Sequence, residues 1–200
     1  MKKAVLKSFV AIAISGLLLA GCAKAPQAEI DAANAAVEEA GAAGADLYVY
    51  DSYVALKDSL SAAMEKIEAQ KSKLFKNYSG VAEHLTGVTQ FAQEVKLKAE
   101  TRKEEIKAEI QVGLTEVKAL QETNNKLVTE APKGKEGAAA IEAIKGELAA
   151  IDSSVAQAAV MFESSELVPA LDKVKAAKEK STAINAELND VIAKTKGKKK

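Results

Sequence analysis

Residues 81–127 read VAEHLTGVTQFAQEVKLKAETRKEEIKAEIQVGLTEVKALQETNNKL. Val81, Leu85, Val88, Phe91 and Val95, then Ile106, Ile110, Leu114, Val117, Leu120 and Leu127, recur at steps of three and four or their sums. That is the period of one face of an α-helix, and no proline interrupts it. The spacing predicts a single amphipathic helix of nearly fifty residues, roughly 70 Å long at about 1.5 Å of rise per residue. Pairs such as Glu94 with Lys98 support its exposed face, at a few tenths of a kcal/mol each. The interval Lys96 to Arg102 is more polar, and there the helix is less assured by pattern.

Turn signals bound this helix. Asn77-Tyr78-Ser79-Gly80 precedes it, and Ala131-Pro132-Lys133-Gly134-Lys135-Glu136-Gly137 comes after it, with a proline and two glycines. The flanking segments resemble each other at a constant offset of 114: Ala35-Ala36-Val37-Glu38 meets Ala149-Ala150-Ile151-Asp152, Leu47-Tyr48 meets Met161-Phe162, and Asp58 meets Asp172. This is a weak internal repeat of 28–74 and 142–188. In each copy an Ala-rich helix passes through a short aromatic joint into a second helix. The first joint is Asp46 to Ser52, where Asp51 or Ser52 is placed to cap the second helix of that copy. The second is Phe162 to Glu166, where Ser164 or Ser165 is so placed and Pro169 falls in the next helix's first turn.

The chain is 48% hydrophobic but only 4% aromatic, with 28% charged residues and no tryptophan, which suits long helices and not a large globular core. Bases and acids are interleaved, which argues against a nucleic-acid partner. At the N-terminus, Lys2, Lys3 and Lys7 precede an uncharged apolar stretch from Ser8 to Gly21. It is shorter than the roughly 20 residues a membrane span needs and ends on small residues, as a secretory signal does. Loss of residues 1–21 takes three lysines and no acid, leaving 25 basic and 28 acidic side chains.

Leu19-Ala20-Gly21-Cys22 ends that stretch on the one cysteine of the chain. It resembles the bacterial lipobox. The resemblance implies cleavage before Cys22, a diacylglycerol on its sulfur and an acyl chain on its amine, together a lasting anchor in a lipid bilayer. Ala23 and Lys24 come next, with no aspartate after the cysteine, and the resemblance then implies the outer membrane, facing the periplasm. Residues 22–27 form the lipidated tether, 28–194 a helical domain and 195–200 a basic tail. From Ala28 to Leu74 and from Ile141 to Asn189, with Ser165-Glu166-Leu167-Val168-Pro169-Ala170-Leu171 as its clearest stretch, the chain also resembles Ala-rich helical-hairpin lipoproteins of unknown function. That likeness carries over no functional residue.

The expected fold is all-α. Three stretches of similar length, residues 28–76, 81–129 and 138–194, form an elongated up-down-up antiparallel bundle whose outer stretches are kinked near 48 and 163. A string of coiled-coil hairpins is the alternative. The expected core takes Tyr53, Leu56, Leu60, Met64, Ile67 and Leu74 from the first stretch, and Ile151, Leu167, Leu171, Val174, Ile184, Leu188 and Val191 from the last. With alanine at many seam positions, little area is buried per residue, so homo-oligomerisation would add stability.

Candidate chemistry is sparse. His84 is the sole histidine and has neither a cysteine partner nor an i,i+4 carboxylate of the zinc-protease kind, so it reads as a structural or surface residue and not a ligand. Gly41-Ala42-Ala43-Gly44 lacks the strand a phosphate loop requires and reads as a kink or a close helix contact. No catalytic residues, cofactor or metal are expected, and the protein reads as a non-enzyme. Tyr48, Tyr50 and Tyr53 form a candidate partner patch or, alternatively, kink packing. Lys194, Lys196, Lys198, Lys199 and Lys200 form a candidate cell-wall contact. Acyl anchor, helical rod and terminal lysine resemble in outline the murein lipoproteins, whose last lysine is joined to peptidoglycan, although those are far shorter. Two functions fit these features: a membrane-anchored helical spacer touching the cell wall, or a periplasmic adaptor docking another envelope protein or secretion component.

Overall fold

The central stretch is helical without interruption. In the computed structural model, which describes residues 24–131 and 135–197 without the side chains of 135–137 and 195–197, it forms the 52-residue helix Ser79–Glu130, α4. The other helices are α1 (Gln27–Ala42), α2 (Ala45–Tyr48), α3 (Tyr50–Lys71), α5 (Lys135–Glu163) and α6 (Leu167–Gly197), and no strand occurs among the described residues. The protein is an all-α bundle. Lys96 to Arg102 does not break α4, because Ala99 keeps the buried face continuous through it. The chain divides within α4 into two compact units, one ending at Arg102 and the other beginning at Lys103.

In the first unit α3 runs back along α4. Ser59 Oγ lies 3.3 Å from His84 Nε2, and Lys66 Nζ lies 3.2 Å from His84 Nδ1. At the other end of α3 the Tyr53 hydroxyl stands 2.7 Å from where a Cβ on Gly41 would sit. Twelve residues of unbroken helix would separate Gly41 from Tyr53 by about 18 Å. The chain therefore turns back between α1 and α3. Gly44 allows this with a left-handed backbone (φ 85°), which glycine adopts without a Cβ clash. Glu39, near the end of α1, pairs with Lys96 at 2.9 Å, so α1 returns along α4 toward Val81. Its buried residues Ile30, Ala33, Val37 and Ala40 join one core with Leu56, Ala63, Ile67, Leu85, Val88, Ala92 and Val95. Two helices could not bury Leu85 to 0% and Ile67 to 1% exposure; α1 supplies the third side.

In the second unit α5 is antiparallel to α4, with Gln121 meeting Leu148 and Asp152. α6 runs parallel to α4, with Lys175 against Glu109, Lys178 against Glu116 and Asn124 against Ser181. The joint near 163 is a reversal and not a kink in one helix: Lys173 of α6 bonds Gln157 of α5 at 3.0 Å. Ser165 takes a left-handed conformation (φ 63°). Glu166 N–H donates to the Met161 carbonyl and Ser165 N–H to that of Phe162, the bond pair of a helix end closed by a left-handed residue. Each outer stretch thus folds into a hairpin of its own and packs on its half of α4.

Several expected core positions move. Leu74 is 94% exposed, because the turn after α3 brings Tyr78 inward in its place. Val191 lies at the surface while Ile192 is buried. Leu85, Val88, Val95, Ile110 and Val117 are buried as expected, together with Ala92, Ala99, Gly113, Gln121, Asn124 and Val128, while Phe91, Leu114, Leu120 and Leu127 stand half-buried at the edges of the seam. At Gly113 the approach of α6 is so close that an added Cβ would collide with Val174 Cγ1.

Candidate functional site

Cys22 and the whole segment 1–23 lie outside the described residues, as do Lys198, Lys199, Lys200 and the side chain of Lys196. Lys194 is exposed and pairs with Asp190 one turn earlier in α6, so one lysine of the tail is engaged by its own helix. Exposed pairs of this kind contribute about 0–1 kcal/mol and exchange readily for another anion.

The three tyrosines do not form one patch. Tyr48 packs on Gly44 and Tyr53 on Gly41, both half-buried at the joint, with Lys57 Nζ 5.8 Å above the Tyr53 ring. Tyr50 is 64% exposed and points outward, as do Leu47 and Val54. Tyr50 and Val54, four apart, share a face of α3, and Leu47 is exposed on α2 across the non-helical Val49, so what the joint exposes is Leu47, Tyr50 and Val54, with two aliphatic members in place of two of the expected tyrosines. The expected capping by Asp51 or Ser52 does not occur: α3 starts at Tyr50 behind Val49, with no side chain bonded at its N-cap.

His84 bridges α3 and α4. Lys66 Nζ lies within hydrogen-bond distance of Nδ1 and Ser59 Oγ of Nε2, the donor and acceptor roles being set by the ring's tautomer. Both ring nitrogens are thereby engaged in holding two helices together. No group of three or more His, Cys, Asp or Glu side chains that could hold a metal occurs among the described residues. Nor is any described helix long and apolar enough to cross a membrane. Of the ionisable groups, Glu39 is held below the ordinary carboxylate range by its hydrogen bond to Lys96 and by that ammonium's charge, and Lys96 is raised by the same contact.

Two features escaped the sequence pattern. One is a buried polar ladder in the second unit. Asn124 Nδ2 donates to the Ser181 carbonyl at 2.8 Å and to its Oγ at 3.2 Å; Ser181 Oγ donates to Gln121 Oε1, and Asn185 Nδ2 to Asn124 Oδ1. Gln121 and Asn124 are three apart on the inward face of α4, a spacing that apolar periodicity overlooks because it scores only the hydrophobic members. The other is the tip of the α3–α4 turn, where Leu74 and Phe75 stand almost wholly in solvent between Lys73 and Lys76. No protein-family model, no curated protein and no solved structure matches this chain.

Proposed function

We propose that this chain is a lipoprotein of the bacterial cell envelope: a helical spacer anchored through acylated Cys22, facing the periplasm from the outer membrane and touching the cell wall with its terminal lysines. The observation that carries this is the placement of Leu19-Ala20-Gly21-Cys22 immediately ahead of the folded domain, whose first helix starts at Gln27. Two or three acyl chains on one residue make a lasting anchor, whereas a single chain holds only marginally. The domain behind the anchor is built for holding and spacing: helices joined by short turns, with the one histidine engaged between two of them.

Cys22→Ser tests the anchor. The variant should leave the mature, membrane-bound fraction and accumulate as an uncleaved or soluble form; a mature-sized variant that still sediments with membranes would defeat the proposal. Binding to purified sacculi tests the wall contact. Electrostatic attachment should weaken as salt rises past about 0.15 M, where the screening length is about 8 Å, and disappear when the tail lysines become glutamine. Covalent attachment should instead survive boiling in detergent and vanish on deletion of Lys200.

The exposed group Leu47, Tyr50 and Val54 favours a second function, an adaptor that docks another envelope protein through the first joint. Pull-down of one stoichiometric partner that survives loss of the tail and is abolished by Tyr50→Ala would place that function first.

A further inference from the structure

The turn between α3 and α4 spends two large apolar side chains on solvent. Leu74 is 94% and Phe75 92% exposed. The turn around them is ordered by its own bonds: Asn77 Oδ1 accepts from the N–H and hydroxyl of Ser79, Gln70 Oε1 accepts from Asn77 N–H, and Tyr78 is buried. A well-tied turn that points Leu and Phe outward has a use for them there. From Gln70 to Tyr78 the sequence carries Lys71, Lys73 and Lys76 and no acid. Among the described residues Glu68 pairs with Lys71 at 2.7 Å, and Lys73 and Lys76 are exposed charges beside the apolar pair. An apolar tip ringed by lysines matches the boundary of an anionic bilayer, where the side chains enter the acyl region and the ammonium groups stay at phosphate level.

The chain's path adds a second, independent reason. Because α1 runs parallel to α4 and α3 antiparallel, the start of α1 and the α3–α4 turn lie at the same end of the first unit. The five steps from Cys22 to Gln27 reach no farther than about 18 Å. An acyl anchor on Cys22 would therefore hold this end, and not the joint at Leu47, against the membrane.

We propose that Leu74 and Phe75 form a second membrane contact, inserting into the anionic lipid surface in which Cys22 is anchored and fixing the orientation of the first unit on it. The placement rests on the lipoprotein reading; the insertion is measured separately.

The chain has no tryptophan, so Phe75→Trp installs a single fluorophore at a position too exposed to disturb the fold. The full-length acylated protein is reconstituted into vesicles of phosphatidylethanolamine and phosphatidylglycerol whose acyl chains carry bromine. Indole emission from the Phe75→Trp variant should shift to the blue and be quenched by the bromines, whereas a Leu47→Trp variant, exposed at the other end of the unit, should show neither change. Quenching in the Phe75→Trp protein should fall at least about twofold when phosphatidylcholine replaces the anionic lipid or when Lys71, Lys73 and Lys76 become glutamine, since the screened attraction acts only within a Debye length of roughly 8 Å. Emission from Phe75→Trp that stays red and unquenched would overturn the proposal, as would quenching equal to that of Leu47→Trp or indifferent to lipid charge. A blue shift without vesicles that grows with protein concentration would assign the tip to a second copy and overturn it too. The mass of the purified protein reports acylation of Cys22 directly, so failure of the anchor is told apart from failure of the tip.

Discussion

Asn124 is the most instructive residue to remove. It is fully buried in the second unit, and it uses both ends of its amide: Nδ2 donates to the Ser181 carbonyl and hydroxyl, while Oδ1 accepts from Asn185. Asn124→Ala deletes all three bonds, each worth about 1 kcal/mol net. Asn185 is half-buried and recovers part of its loss from water, and Ser181 Oγ keeps Gln121 as a partner. Alanine is the better helix former by about 0.6 kcal/mol. The balance is a destabilisation of about 2 kcal/mol, confined to the unit that begins at Lys103. Urea unfolding followed by circular dichroism should show a lower midpoint at unchanged slope for that unit. Ser181→Ala should cost about 1 kcal/mol, and the double variant should cost less than the two singles together by at least about 0.5 kcal/mol, because the residues share a bond. An Asn124→Ala protein within about 0.5 kcal/mol of the parent, or strictly additive costs, would refute the ladder as a stabilising network.

Gly113→Ala should destabilise by about 1 kcal/mol or more, since overpacking against Val174 costs about 1–3 kcal/mol and outweighs the helix gain, while Gly87→Ala and Gly146→Ala, whose added Cβ atoms meet nothing within 4 Å, should each stabilise by about 0.5–1 kcal/mol; equal signs in thermal melts would contradict the packing. Ser165→Gly should raise stability by up to about 1 kcal/mol by relieving the left-handed backbone at the α5–α6 turn, and a loss on urea titration would show the serine side chain to be needed there. For Glu39, whose pKa is depressed in the fold, the stabilisation is present above the ordinary carboxylate value and is lost as pH falls through the lowered one. NMR titration should place its midpoint below those of exposed glutamates, and Lys96→Met should return it; an unmoved midpoint would show that the ion pair does not hold in solution.

Much of the helix content was legible because it depends on local chemistry. The three-and-four spacing from Val81 to Leu127, the lack of proline within it, and the turn residues at 77–80 and 131–137 are properties of neighbours in sequence; α4 spans that stretch but starts at Ser79, inside the first turn signal, and α5 starts at Lys135, inside the second. The two outer segments that the offset of 114 pairs each fold as helix, joint, helix. The apolar stretch from Ser8 to Gly21 and the cysteine that ends it are readable from order and composition alone, and their reading as a lipidated signal is a proposal.

What the chain order could not decide is how far each joint bends and which face of a helix wins the interior. A kink and a full reversal share the same local signals; the choice rests on whether Tyr53 finds Gly41, and Lys173 finds Gln157, after the turn. Likewise, apolar residues at 91, 114, 120 and 127 promised the seam, yet close approach of neighbouring helices favours small side chains at its centre, and buried amides there can be satisfied only by partners tens of residues away, as Asn124 is by Ser181. Leu74 belonged to the core by pattern. In the folded unit Tyr78 joins the core and Leu74 stands outside it beside Phe75, a choice made by packing with helices distant in sequence.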